Sequence, residues 1–131
     1  MAAEPGAEPR GRRVLVVDDE MLICMLVESI LIDAGYVVAT ANSVPEALAA
    51  IDTHPIDFAI LDLTLRGQSG YDVAEKLAAQ GIPFLFATGN GQGPVEFPDR
   101  PWIAKPFDEI ELLKIIARLS GDESAPPRDS T

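Results

Sequence analysis

Residues 13–20 read RVLVVDDE: four apolar residues in a row, then three acids. A short apolar run without alternation is the pattern of a strand covered on both faces. Three further runs are built the same way: DFAILD at 57–62, PFLFAT at 83–88 and PWIAK at 101–105. Each is short and apolar, and each closes on a side chain able to do chemistry. Those side chains are Asp62, Thr88 and Lys105. Residues 36–41, YVVATA, complete a set of five predicted strands.

Between these runs the apolar spacing becomes that of a helix. Residues 20–34 are apolar at helical spacing and stop at Gly35, a natural residue just past a helix end. Ser43-Val-Pro-Glu46 has capping-box spacing with Pro in the first turn, and opens a helix that runs to about Thr53. His54-Pro55 closes it. Residues 66–70 read as a loop, and 71–79 as a helix ended by Gly81. Residues 108–119 read as an amphipathic helix, with Asp108 and Glu111 as another capping pair.

Strands alternating with helices through short links imply an α/β fold, a doubly wound parallel sheet with helices on both faces. Such sheets carry their working site outside the carboxyl ends of the strands. The candidate residues fall there. Asp18 and Asp19 follow the first strand, Asp62 the third, Thr88 the fourth and Lys105 the fifth. They are distant in sequence, and the fold is expected to converge them.

Each residue alone has an ordinary reading. An Asp before a helix serves as an N-cap. Asp62 could cap a turn, Thr88 could bond its local backbone, and Lys105 could be a solvated charge. Their joint occurrence at four strand ends carries the functional reading. Three clustered carboxylates repel one another and need a cation. Hard oxygen ligands suit Mg²⁺ or Mn²⁺, and no His or Cys partner for zinc accompanies them. One carboxylate can attack phosphorus and hold the phosphoryl group as an acyl phosphate. Cation, ammonium and hydroxyl would then stabilise charge on the equatorial oxygens.

Composition narrows the class. With 131 residues there is room for one compact domain. A content of 47% hydrophobic and 24% charged residues suits a soluble globular chain. The formal charge of −11 opposes nucleic-acid phosphates, so no nucleic-acid partner is expected. No apolar run approaches the roughly 20 residues of a membrane helix. The N-terminal MAAEPGAEPRGRR has no apolar region and does not read as a signal peptide. A single cysteine, Cys24, allows no intrachain disulfide and agrees with a cytoplasmic location. Residues 1–12 and 120–131 are rich in small, polar and Pro residues and read as flexible tails around a domain at 13–119.

The motifs VLVVDDE (14–20), AILDLTL (59–65), FATG (86–89) and AKPF (104–107) resemble those of the response-regulator receiver family, over roughly residues 13–119. The resemblance implies a flavodoxin-like (CheY-like) (βα)5 fold and a role in two-component or phosphorelay signalling. Asp62 matches the phosphoacceptor. Asp19 would ligate Mg²⁺, Asp18 would do so directly or through water, and the backbone carbonyl of Thr64 would be a further ligand. Lys105 would pair with Asp62 or its phosphoryl group, and Thr88 would bond a phosphoryl oxygen. Trp102 occupies the place of the family's switch aromatic; alternatively it is a half-buried packing residue. The phosphodonor would be a sensor histidine kinase or a histidine phosphotransfer protein. The implied protein is a monomeric, single-domain, stoichiometric phosphoacceptor rather than a turnover enzyme, relaying or draining phosphate.

Two features depart from the family pattern. Residues 89–100, GNGQGPVEFPDR, hold three Gly and two Pro. These lower helix propensity by about 1 kcal/mol per Gly and about 3 per interior Pro. A short or missing fourth helix and a mobile loop are therefore expected. That loosened segment after PFLFATG resembles the FAT-GUY subgroup of single-domain receivers, known in alphaproteobacteria. In addition, turning Ile23, Leu26, Val27, Ile30 and Leu31 of the first helix toward the sheet leaves Met21, Cys24, Met25 and Ile32 partly outward. An outer apolar patch marks partner docking; deep packing of the helix is the other reading.

Three other functions compete. Haloacid-dehalogenase-type phosphatases use a strand-end Asp with Mg²⁺, but need a second Asp two residues later, where this chain has Thr64. A receiver-like module that is not phosphorylated would be favoured by missing acids or lysine, and none is missing. A flavodoxin-like cofactor binder would need a phosphate-cradling loop after the first strand, where Asp18 and Asp19 stand.

Overall fold

A computed structural model describes residues 12–65, 68–89, 100–105 and 108–119. Its main sheet has five parallel strands: β1 (Arg13–Val17), β2 (Val37–Ala41), β3 (Phe58–Asp62), β6 (Phe84–Thr88) and β7 (Trp102–Ala104). Their order across the sheet is β2-β1-β3-β6-β7. The order reverses beside β1, and this leaves a crevice at the carboxyl edge between β1 and β3. Three helices connect the strands among the described residues, α1 (Met21–Asp33), α2 (Val44–Thr53) and α3 (Tyr71–Ala79), and a fourth, α4 (Glu109–Leu119), follows the last strand. None is long and apolar enough to cross a membrane. A two-stranded antiparallel ribbon, β4 (Thr64–Leu65) with β5 (Gln68–Ser69), follows β3.

The apolar runs form central strands because both of their faces are covered. Every residue of β3 and β6 is buried. On one face Leu15, Val17, Leu61, Phe84 and Phe86 pack with Ala47, Ile51, Val73 and Leu77 of α2 and α3. On the other face Val14, Val16, Phe58, Ile60, Leu85 and Ile103 pack with Val27, Leu31, Leu112 and Ile116 of α1 and α4. Phe84 and Phe86 meet edge-to-face, with ring centroids 5.4 Å apart. Two apolar layers thus hold the strand register, and the register sets the heights of the residues at the carboxyl edge.

The expected elements form with small boundary shifts. Gly35 ends α1 with a φ of 100°, a conformation that L side chains rarely adopt. Ser43 caps α2 by accepting the Glu46 N–H at 3.2 Å. The reciprocal arm of the box differs from the usual pattern. The Glu46 carboxylate accepts the N–H of Asn42 at 2.6 Å, one residue before the cap.

The structure corrects two expectations. The segment read as a loop at 66–70 holds strand β5, because Gln68 and Ser69 pair with Leu65 and Thr64. Cys24, expected outward with Met21 and Met25, is only 3% exposed, whereas Leu26 is 52% exposed. The phase of α1 is set by Cys24, Val27, Ile30 and Leu31 facing the sheet, with the Cys24 thiol donating to the Asp18 carbonyl at 3.4 Å. The expected changes to the fourth helix and the two expected tails lie outside the described residues except at Arg12, Gly89 and Arg100.

Gly70 links the ribbon to α3 and holds β3's end in place. Its N–H donates to the Leu63 carbonyl at 2.7 Å. A Cβ built on Gly70 would collide with the main-chain oxygen of Asp62. Gly70→Ala is therefore expected to cost about 1–3 kcal/mol, the usual range for overpacking a tight contact. Urea denaturation of the variant and the parent measures it, and equal midpoints would contradict the contact.

Candidate functional site

The site lies where β1, β3, β6 and β7 end. Asp18 leaves β1, with its N–H donated to the Ala41 carbonyl on β2 at 3.1 Å. Asp62 is the last residue of β3, in register with Ala87 of β6. Thr88 ends β6, opposite Ala104 of β7. Lys105 follows β7, and its N–H donates to the Thr88 carbonyl at 2.7 Å. Parallel pairing thus carries four distant residues to one edge.

Asp18, Asp19 and Asp62 come together there. Each offers a carboxylate oxygen within 4.8 Å of the others. Asp18 and Asp62 are buried, and Asp19 is partly exposed. The Lys105 ammonium reaches between the two buried acids. Its Nζ is 2.7 Å from Asp18 Oδ2 and 3.2 Å from Asp62 Oδ2. Burial alone would lower the Lys105 pKa. The hydrogen bond to Asp18 and the charges of Asp62 and Asp18 outweigh it and raise the pKa above its ordinary 10.5. The stabilisation from this pairing is therefore complete below the unfolded pKa and is lost only as pH rises through the higher folded value.

Three carboxylates and one ammonium leave a formal charge of −2. That balance, with an all-oxygen donor set, fits a divalent Mg²⁺ or Mn²⁺. The carbonyl of Thr64 belongs to β4, two residues beyond Asp62. Thr88 supplies a second sign of an incomplete site. Its Oγ1 is buried and has no hydrogen-bond partner among the described residues. A buried hydroxyl without a partner is costly, so an oxygen-bearing ligand would be welcome at this position.

Asp18 is held on every side. Its Oδ1 accepts the Glu20 N–H at 2.9 Å. Its carbonyl accepts Asn42 Nδ2 at 3.0 Å as well as the Cys24 thiol. Burial first, and then the Asp18 charge, push the Cys24 pKa up to about 11, so the thiol remains protonated and able to donate. Asn42 and Gly70 escaped the sequence reading. Asn42 does stand one residue past the end of β2, at the same edge as the acids.

The remaining candidates lie apart from this cluster. Trp102 stands on the edge strand β7, 39% exposed. With Pro101, Ile115 and Arg118 it lines a cavity of about 410 Å³. Met21 and Met25 are exposed on α1, next to Leu22, Leu26 and Ile32.

Known proteins resemble this chain in sequence and fold. The family profile of the response regulator receiver domain matches residues 14–117. The chain is 35% identical over 114 residues to the regulatory protein VanR of Enterococcus faecium, covering 82% of this chain and 49% of VanR. It spans about half the length of the curated relatives it matches. The solution structure of SdrG from Sphingomonas melonis Fr1 superposes with a TM-score of 0.73 at 41% identity, covering 84% of this chain and 97% of SdrG. The receiver domain of the sensor histidine kinase PA1611 from Pseudomonas aeruginosa, solved with magnesium in its active-site cleft, superposes with a TM-score of 0.73. At 23% identity, over 85% of this chain and 98% of that one, its likeness is one of fold. A parallel sheet that gathers three acids, a lysine and a threonine at one edge, together with these matches, makes the chain a member of the response regulator receiver family.

Proposed function

We propose that this receiver takes a phosphoryl group onto Asp62 from a phosphohistidine on a sensor kinase or phosphotransfer protein, and relays or drains it as a single-domain regulator. The observation that carries the reading is the Lys105 ammonium held between Asp18 and Asp62 beside a third carboxylate. Asp62 is the nucleophile. An Asp62 carboxylate oxygen bonds to phosphorus as the donor's nitrogen–phosphorus bond breaks, and an acyl phosphate forms. Lys105 offsets charge on the incoming oxygens and then pairs with the phosphoryl group. The Thr88 hydroxyl donates to a phosphoryl oxygen. Hydrolysis returns the carboxylate when water attacks phosphorus and inorganic phosphate leaves.

Asp18, Asp19, Asp62 and the Thr64 carbonyl would hold Mg²⁺ or Mn²⁺, which supplies Lewis-acid charge for the phosphoryl oxygens. The stoichiometry is one phosphoryl group per chain, so the protein is an acceptor rather than a turnover enzyme. Trp102 is the candidate switch aromatic that reports the state of Thr88. A cytoplasmic monomer is the form in which a shuttling acceptor works.

The exposed side of α1 is the docking surface. Met21, Leu22, Met25, Leu26 and Ile32 form one apolar strip among Glu20, Glu28 and Asp33. Such a strip suits an apolar partner helix with a basic rim. Cys24 faces the core and is not part of the strip.

With Mg²⁺ and a small acyl phosphate, the protein is expected to gain the mass of one phosphoryl group, and Asp62→Asn to gain none. Intact-protein mass spectrometry reads both, and equal labelling of the two would contradict the assignment of Asp62. Met25→Glu is expected to slow transfer from a cognate phosphohistidine protein by at least about tenfold, the cost of about 1.4 kcal/mol at a central interface residue. Labelling by the small donor should be unchanged. Equal slowing with both donors would place the defect in the site and not in docking.

A further inference from the structure

Asn42 belongs to neither the acids nor the lysine, yet it holds the residue on which the site turns. Asp18 and Asp19 share one peptide unit, and that unit is planar. The direction of the Asp18 carbonyl therefore sets the plane from which the Asp19 side chain departs. Asn42 Nδ2 donates to that carbonyl at 3.0 Å and lies 3.5 Å from Cys24 Sγ. Asn42 is itself fixed, because its N–H donates to the Glu46 carboxylate at 2.6 Å and Ser43 caps the Glu46 N–H. The capping box of α2 is thus tied through Asn42 to the turn that presents two of the three carboxylates. Cys24 also donates to the same carbonyl at 3.4 Å, but a thiol is a weak donor and cannot replace the amide.

We propose that Asn42 is a positioning residue for the cation site: its side-chain amide locks the Asp18–Asp19 peptide so that both carboxylates meet Asp62. This rests on the metal centre proposed above. It adds a residue, from the opposite side of β1 to Lys105, that tunes cation affinity without touching the cation. Outer partners of metal ligands commonly change affinity by about 10–100-fold when lost.

The test is Mg²⁺ titration of the unphosphorylated full chain by calorimetry, for wild type and Asn42→Leu, which keeps the volume and removes the donor. The expected result is a Kd raised by about tenfold. Metal-free thermal unfolding and hydrogen exchange of the Glu20 amide are measured on the same samples. A purely structural role would lower the metal-free Tm and leave the Mg²⁺ Kd as it was, and that result overturns the proposal. If Asn42→Leu does not fold, Asn42→Ala carries the same comparison. Wild type without saturable Mg²⁺ binding would remove the metal centre and the positioning role together. Wild-type binding with an unchanged Kd in the variant would remove the positioning role alone.

Discussion

The Lys105 ammonium, held by two buried carboxylates from different strands, is the interaction around which the rest of the carboxyl edge is arranged. Buried acids side by side are unfavourable unless an opposite charge and hydrogen bonds compensate them. Lys105 bonds Asp18 at 2.7 Å and Asp62 at 3.2 Å, and its backbone N–H bonds Thr88. One residue therefore ties the ends of β1, β3, β6 and β7 together. It leaves two formal negative charges over, which is what a divalent cation requires. The neutralisation is only partial, and this keeps an otherwise stable cluster chemically receptive.

The surroundings hold that partial balance in place. The two apolar layers fix the strand register, so the acids cannot slide apart. Gly70 allows the ribbon to lie against the Asp62 carbonyl, which keeps the end of β3 rigid. Asn42 and Cys24 hold the Asp18 carbonyl from the β2 side. Asp18 is thus fixed at its N–H, its carbonyl and both carboxylate oxygens, while the Thr88 hydroxyl has no partner among the described residues. Rigid acids beside an unsatisfied donor form a site preorganised for charge that arrives with a ligand.

Most of this fold could be read from the chain because its strands are simple. RVLVV, FAILD and FLFAT are unbroken apolar runs, and each ends where chemistry begins. Their alternation with helices gives the parallel sheet, and the sheet gives convergence. The phase of α1 was not legible. Ten of its thirteen residues are apolar or sulfur-bearing, so periodicity alone does not choose an inward face. The choice is made by packing against β1 and by the Cys24 thiol meeting the Asp18 carbonyl. Asn42 was hidden for a related reason. A polar residue before a cap reads as part of the turn, and only the third dimension aims its amide at β1. The ribbon after β3 is too short to carry a periodic signal.

The same chain presents two contrasting surfaces. The chain carries a net charge of −11 and gathers three carboxylates at the carboxyl edge, whereas α1 shows an apolar strip. In the proposed docking, charge would speed the approach of a basic partner and the strip would receive it. The cation site remains the centre of the account. The most direct test is an anomalous difference map from crystals grown with Mn²⁺. It should show a single peak bonded to carboxylates of the Asp18, Asp19 and Asp62 cluster and to the Thr64 carbonyl. Ordered crystals soaked in Mn²⁺ with no peak at that cluster would contradict it.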